Sequence, residues 1–459
     1  MPITSRRPTR TTRASSPSGT GPSGASGSGP SRARSVSGSR TWTARSGERC
    51  AGCSRCPSGA GVASRRAGVA SKREGGLRGR DREVRARSLT AVFCAAVLVA
   101  CGNPVTTPDP GDSGLGPDPV PPPVDLSRAW TTSPPGAEGF DPELLGSAFA
   151  NAANAVPNIR ALLAVRNGRL VEEAYFGGMH PDSAFDMRSV TKTVTALLVG
   201  LASDRGLVDP DDPMMDWLSH PSRRSEHDGI RVRDLLTMTS GIQWSDEEDF
   251  GPWARSGRPV GYVLDLPIVA PPGRRFIYNT GGSHLLTVIV ENAVDGSALE
   301  FAERELLGPL GVDNKRWPVM QDSVIVGGAA LALRARDAAK VGQLLLQGGR
   351  SGSRQIVSRA WVEAQIGRLV AVSDIGYVLR DAGYGYQTWS DRQGGGEDVS
   401  AFVMWGYGGQ FVWVVPDRQL VVVAQTHWRG TGDHDGRQAD AVADLIVHRV
   451  IEAALPIRR

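Results

Sequence analysis

One apolar run at helical spacing constrains the fold of this chain most, because a helix with such a face must lie against a core. Its apolar positions are Val190, Val194, Leu197, Leu198 and Leu201. Ser189 and Lys192 stand three residues apart at its start. Residues i and i+3 of a helix share a face, so the sequence predicts that this hydroxyl and this amine meet.

The residue type at position 192 favours chemistry over surface decoration, although a Ser and a Lys at this spacing are common by chance. Only four of the 52 basic residues are lysines. An arginine keeps its proton, whereas a lysine loses it once its pKa is lowered. We expect the positive end of the helix dipole to lower the pKa of Lys192. A neutral Lys192 would accept the proton of Ser189 and activate it as a nucleophile.

The net charge of +4 hides two segments of opposite sign. Residues 1–100 carry 19 Lys and Arg against 4 Asp and Glu, and the remainder carries 33 against 44. The basic part is rich in Arg, Ser, Gly and Pro and lacks the apolar periodicity of a core. The folded part is acidic, so we predict no nucleic-acid binding.

A signal-like segment lies at residues 84–101. Arg85 and Arg87 precede a twelve-residue apolar run, which is too short for a bilayer span of about 20 residues. It ends in Leu-Val-Ala-Cys101-Gly, which resembles a bacterial lipobox. We therefore expect an exported lipoprotein anchored to a membrane through Cys101; the alternative is a short buried strand. Residues 1–83 are then disordered or an over-extended gene start.

The remaining chain divides into a tether and a folded domain. Residues 102–127 are rich in proline and predict a semi-rigid tether. We predict that residues 128–459 form the folded domain. Asn167-Gly168 between two apolar runs predicts a β-hairpin, further strands lie near the C-terminus, and helical patterns lie between and at both ends. This order predicts an α+β fold, with an antiparallel sheet flanked by terminal helices and a helical insertion.

Three more features offer groups that acyl transfer needs. Tyr278 lies in a turn-rich loop before a helical pattern at residues 283–292, and a tyrosine there is either a proton partner or a packing residue. Trp405-Gly-Tyr-Gly-Gly-Gln410 precedes a strand, and its glycines allow either a close backbone approach to a ligand or a plain bulge. Trp244 is a candidate wall of the acyl pocket or a core residue.

Together these motifs resemble the serine β-lactamase-like hydrolases. The resemblance rests on Ser189-x-x-Lys192, on Val232-Arg-Asp-Leu-Leu-Thr-Met-Thr-Ser-Gly241, on Pro-Gly-x-x-Phe-x-Tyr278 and on Gly406-Tyr-Gly-Gly-Gln410. That family includes class C β-lactamases, DD-peptidases, family VIII-type esterases and 6-aminohexanoate-dimer hydrolases. The resemblance implies a β-lactamase/transpeptidase-like fold from about residue 139 to the last strand.

The resemblance also implies the roles of single residues. Ser189 is expected to be the acylated nucleophile, Lys192 its general base, and Tyr278 the residue that passes the proton to the leaving group and then activates water. The backbone N–H groups of Ser189 and Gln410 are expected to form the oxyanion hole. Substrate contacts are expected from Tyr407, Gly408, Gly409, Thr280 and Trp244.

Two departures from the family pattern narrow the expected substrate. Thr280 stands where β-lactamases and peptidases usually carry Asn, and Tyr407 stands where they usually carry a cationic Lys. Both favour hydrolysis of carboxylic esters or small amides, with no metal and no cofactor. The alternatives are a β-lactamase or DD-peptidase, and a penicillin-binding sensor that is acylated without turnover. The oligomeric state does not follow from the sequence.

Overall fold

The computed structural model describes residues 121–373, 379, 381–394, 398–428 and 436–455. The predictions for residues 1–83, for the signal segment with Cys101 and for most of the tether lie outside these residues. Over the described ranges, no helix is both long enough and apolar enough to cross a membrane. Val124 and Leu126, at the end of the predicted tether, already pack on the domain, and Leu126 is buried.

An antiparallel sheet of eight strands forms the middle layer. The strands, numbered along the chain, are β1 Ile159–Arg166, β2 Arg169–Tyr175, β3 Phe185–Asp186, β4 Lys315–Arg316, β5 Ala332–Leu333, β6 Arg350–Ser351, β7 Arg354–Gln355, β8 Val370–Ala371, β9 Gly383–Tyr384, β10 Trp389–Gly394, β11 Asp398–Gly406, β12 Gln410–Val415 and β13 Leu420–Thr426. The order in the main sheet is β2-β1-β13-β12-β11-β10-β9-β8, while β3-β5-β4 and β6-β7 form two small sheets.

The first hairpin forms where the sequence predicts it. Asn167 and Gly168 join β1 to β2 with φ of 52° and 74°, the positive values that a two-residue turn of this kind requires. Side chains then alternate between the two faces of the sheet. On β12, Val412 faces one core and Phe411 the other. Both faces are covered, so the central strands are apolar over residues 411–415 and 420–424.

Helices cover the two faces in different numbers. The helices are α1 Pro142–Ala150, α2 Ala152–Ala155, α3 Val190–Ser203, α4 Val232–Leu236, α5 Phe250–Arg255, α6 Pro259–Asp265, α7 Thr280–Ala293, α8 Ala298–Ala302, α9 Ala335–Leu346, α10 Arg359–Ile366 and α11 Arg437–Leu445. The terminal helices α1, α2 and α11 pack on one face. Helices from the middle of the chain, α3 and α9 among them, pack on the other face. The predicted antiparallel sheet flanked by terminal helices is confirmed. The described domain is one compact unit.

Candidate active site

Helix α3 carries the predicted nucleophile at its N-terminal end. Ser189 is the N-cap, the helix begins at Val190, and all residues from Val190 to Ala202 are buried. The helix ends at Ser203. Within the described part of the chain, the Ser189 side chain makes no capping hydrogen bond. Its hydroxyl therefore remains available to the side chain of Lys192.

The Lys192 amine lies among three oxygen atoms. Its Nζ is 3.0 Å from Ser189 Oγ, 2.9 Å from Thr280 Oγ1 and 2.8 Å from the carbonyl oxygen of Gly328. The side chain is only 1% exposed. The structure thus brings Ser189 and Lys192 together as predicted, and adds two oxygen atoms that come from distant parts of the sequence.

The carbonyl of Gly328 reaches Lys192 because α3 binds the segment around it. Thr195 Oγ1 donates to the carbonyl oxygen of Gly327 at 2.7 Å, and Thr191 Oγ1 accepts from the backbone N–H of Leu331 at 3.1 Å. A side chain on Gly328 would clash with Thr280, the first residue of α7. Gly328 therefore lets this segment fit closely between α3 and α7.

Burial sets the pKa of Lys192, whereas we expected the helix dipole to do so. Burial lowers the pKa of this amine to about 8, because a low-polarity environment disfavours the charged form. The carboxylate of Asp246 raises the pKa and the guanidinium of Arg188 lowers it further. A large fraction of Lys192 is therefore neutral near pH 8, which a general base requires.

Helix α7 brings Thr280 to the amine. The predicted helix started at residue 283, but the Asn279 side chain caps it by accepting from the backbone N–H of Gly282 at 2.7 Å, and α7 begins at Thr280. Thr280 Oγ1 also donates to Asp246 Oδ2 at 3.0 Å. Sequence reasoning missed Asp246, because an acidic residue within Asp-Glu-Glu-Asp249 looks like a solvated loop.

Tyr278 forms another wall of the site. Its ring stacks on Trp389 with centroids 5.9 Å apart, and Lys192 Nζ lies 4.7 Å from the centre of the Tyr278 ring. Burial raises its pKa well above the usual 10, and a hydrogen-bonding interaction with Ser189 opposes that shift. Tyr278 therefore remains a neutral phenol in the pH range in which Lys192 loses its proton.

The glycine-rich hairpin after β11 approaches the nucleophile at Gly406. A side chain there would clash with the carbonyl oxygen of Met187, two residues before Ser189. Gly408 and Gly409 face elsewhere, since side chains on them would meet Trp428 and, on α11, Val442. Tyr407 is 41% exposed, and its ring contacts that of Trp428 edge to face.

The two residues predicted to form the oxyanion hole lie in different settings. Gln410 is on β12 and its buried side chain pairs with Thr426, donating to the Thr426 carbonyl at 2.9 Å and accepting from the Thr426 N–H at 3.1 Å. The N–H of Ser189 pairs with no acceptor in the described ranges. A free N–H beside the nucleophile is what an oxyanion requires.

Trp244 and Arg188 complete the surroundings. Trp244 is buried, packs on Trp253 and donates from Nε1 to Asp246 Oδ1 at 2.6 Å, so it supports the loop beside the site. The Arg188 guanidinium lies over the rings of Phe250 and Trp428, 5.4 and 4.2 Å from their centres. Among the described residues, no cluster of His, Cys, Asp and Glu has a metal-binding arrangement.

Comparison with known proteins defines the class of this protein. The family model described as β-lactamase matches residues 152–446, which is more than half of the chain. The chain therefore belongs to the β-lactamase family of serine hydrolases, and the family and fold predictions are confirmed.

Individual relatives within that family carry different names. The chain is 26% identical over 288 residues to the 6-aminohexanoate-dimer hydrolase of Paenarthrobacter ureafaciens, covering 58% of this chain and 72% of the relative. A Bacteroides dorei structure assigned as a β-lactamase has a TM-score of 0.59 at 23% identity, covering 69% of this chain and 99% of that one. A D-stereospecific amidohydrolase of Streptomyces has a TM-score of 0.51 at 19% identity, covering 68% and 97%. The two structures support the fold alone.

Proposed function

We propose that the protein hydrolyses carboxylic esters or small amides through an acyl-enzyme on Ser189. The observation that carries the proposal is the 3.0 Å contact between Lys192 Nζ and Ser189 Oγ, within a pocket that lowers the pKa of the amine to about 8. A neutral amine at this distance is a general base for the serine hydroxyl.

The proposed reaction has two halves, acylation of Ser189 and hydrolysis of the acyl-enzyme. Lys192 Nζ accepts the proton of Ser189, Oγ attacks the substrate carbonyl carbon, and the N–H of Ser189 binds the oxyanion together with the proposed donor Gln410. Tyr278 gives its proton to the leaving alcohol or amine and is reprotonated from Lys192. Water then attacks the acyl-enzyme, and its proton passes to Tyr278 while Tyr278 gives its own proton to Lys192. Lys192 returns that proton to Ser189 Oγ as the bond to the acyl group breaks, which releases the carboxylic acid.

The residues around the nucleophile support this substrate class. Thr280 already binds Lys192 and Asp246, and Tyr407 carries no charge to hold a substrate carboxylate. Both support an ester or small amide over a β-lactam or a peptidoglycan stem peptide. The similarity to the 6-aminohexanoate-dimer hydrolase supports the amide branch as well.

A substrate panel tests this proposal. Purified domain from residue 121 onward is assayed with p-nitrophenyl acetate, p-nitrophenyl butyrate, 6-aminohexanoate dimer, nitrocefin and a peptidoglycan peptide, beside Ser189→Ala. We expect turnover of the esters or the amide dimer that the variant abolishes. Turnover of nitrocefin or the peptide alone would favour a β-lactamase or DD-peptidase. Stoichiometric labelling by a serine-reactive phosphonate, with no turnover of any compound, would favour a sensor.

We further propose that the protein is exported and lipid-anchored through Cys101. The support is the order of basic residues, apolar run and lipobox at residues 84–101, followed by a proline-rich tether. Metabolic labelling with a palmitate analogue in a bacterial host is expected to label the full chain, and Cys101→Ala is expected to abolish the label. Equal labelling of both proteins would contradict the anchor.

A further inference from the structure

The Lys192 amine must point its lone pair at one of two hydroxyl groups. A neutral amine has two N–H donors and one lone pair, whereas Lys192 Nζ has three hydrogen-bonding neighbours. The carbonyl of Gly328 can only accept and therefore takes one N–H. The second N–H and the lone pair are left for Ser189 and Thr280, both of which can donate or accept.

Asp246 decides between these two arrangements. A carboxylate only accepts, so the single proton of Thr280 is used in the 3.0 Å hydrogen bond to Asp246 Oδ2. The oxygen of Thr280 must then accept from Lys192. The carboxylate itself is held by Trp244 Nε1, which donates to Oδ1 at 2.6 Å. The lone pair of Lys192 is left facing the proton of Ser189.

We propose that Asp246 is a positioning residue, which orients the Thr280 hydroxyl and thereby directs the lone pair of neutral Lys192 at Ser189. The inference rests on the proposed function, in which Lys192 is the base for Ser189. Asp246 itself touches neither the amine nor the nucleophile in this chain of hydrogen bonds. It acts through Thr280.

The charges around Lys192 give this role a distinctive pH signature. Asp246 and Arg188 are the charged groups that shift its pKa, upward and downward respectively, while neutral Tyr278 lies against it. Removing the charge of Asp246 therefore lowers the pKa of Lys192 and produces more neutral amine at a given pH. Losing the orientation of Thr280 lowers the maximal rate at the same time.

Asp246→Asn separates these effects from a structural role. Thr280 and Trp244 both donate to Asp246, whereas an amide has one acceptor oxygen and an NH₂ group, so one donor would lose its acceptor. In the purified domain with p-nitrophenyl acetate, we expect the plateau of kcat/KM to fall about 10–100-fold, as for supporting residues elsewhere. The rising limb of the pH profile should move to lower pH. The control is Glu247→Gln, which makes the same charge change at a neighbouring exposed residue. It should alter neither the plateau of kcat/KM nor the position of the pH profile.

A second set of variants tests the route through Thr280. Thr280→Val removes the hydroxyl but keeps the shape of the side chain. In the double variant with Asp246→Asn, the loss of kcat/KM should be smaller than the sum of the two single losses, because both substitutions act on one hydrogen bond. Thr280→Ser should restore most activity. Fully additive losses in the double variant would overturn the inference. So would an Asp246→Asn protein whose kcat/KM keeps the wild-type plateau, or whose pH profile does not shift. Ser189→Ala separates failure of this inference from failure of the proposed function. If the Ser189→Ala protein stays active, the proposed function itself fails.

Discussion

The two sides of the nucleophile are built differently. On the helical side, α3, α7 and the Gly328 segment bring side-chain and carbonyl oxygens within 3.0 Å of the Lys192 amine. On the hairpin side, the close contact is a backbone one, at Gly406 against Met187. In the proposed function, the helical side therefore supplies the groups that hold the Lys192 amine, while the hairpin approaches the nucleophile through its backbone.

This difference matters because the two sides tolerate change unequally. A buried amine with three hydrogen-bonding neighbours loses function when one of them changes, since an unmatched buried donor costs about 1–3 kcal/mol. A hairpin that contributes backbone tolerates side-chain changes except where a glycine is in close contact. The largest effects of substitution are therefore expected on the helical side.

The largest effect is expected at Ser189 and Lys192. Ser189→Ala should lower kcat/KM for p-nitrophenyl acetate by at least about 10⁴-fold, and Lys192→Arg should be nearly as inactive because arginine keeps its proton. Lys315→Arg, which changes a lysine paired with Glu303, is the matched control and should keep its rate. A Lys192→Arg variant with wild-type turnover would show that the base is another group.

Tyr278 comes next. Tyr278→Phe keeps the ring against Trp389 but removes the phenol that passes the proton, and should lower kcat about 10²–10⁴-fold. The expected circular dichroism spectrum is unchanged. Tyr386→Phe, whose ring packs on Trp361, serves as the control. Equal rates for both variants would remove Tyr278 from the proposed proton path.

The hairpin side is tested by two glycines. Gly406→Ala should displace the backbone before Ser189 and lower kcat/KM about 10–100-fold, because small misplacements of reacting groups are costly. Gly409 has a φ of 87°, and Gly409→Ala should instead lower the stability by about 1–2 kcal/mol with little change in rate. Thermal unfolding and kinetics are measured together. A large rate loss in a stable Gly409→Ala protein would indicate the predicted substrate contact.

The smallest effect expected is a change in pH dependence at Arg188. The wild-type kcat/KM should rise through pH 8 as Lys192 loses its proton, because its pKa is about 8 and the neutral form is the base. Arg188 lowers that pKa, so Arg188→Gln should move the limb to higher pH, opposite to Asp246→Asn. Arg354→Gln, exposed on β7, should leave the limb in place. A shift of the Arg188→Gln profile to lower pH would contradict the direction in which Arg188 changes the pKa of Lys192.

Much of this arrangement was predictable because it is local. The hairpin at Asn167-Gly168 and the meeting of Ser189 with Lys192 depend on spacings of a few residues, which the backbone geometry of a turn or helix translates directly into contacts. The start of α7 was misplaced because Asn279 reads as an unremarkable loop residue. Its capping role becomes visible only when the helix that it starts is present.

The sequence alone determined the residue types with the required chemistry, their local spacing and the α+β order of elements. Tertiary structure decided which groups surround the amine: Gly328 and Thr280 lie 136 and 88 positions from Lys192 in the chain, and Asp246 joins them through Thr280. It also decided the pKa of Lys192, since burial in a packed core depends on every layer around α3. Such contacts follow from folding as a whole, because no short-range pattern encodes which distant oxygen will meet a buried nitrogen.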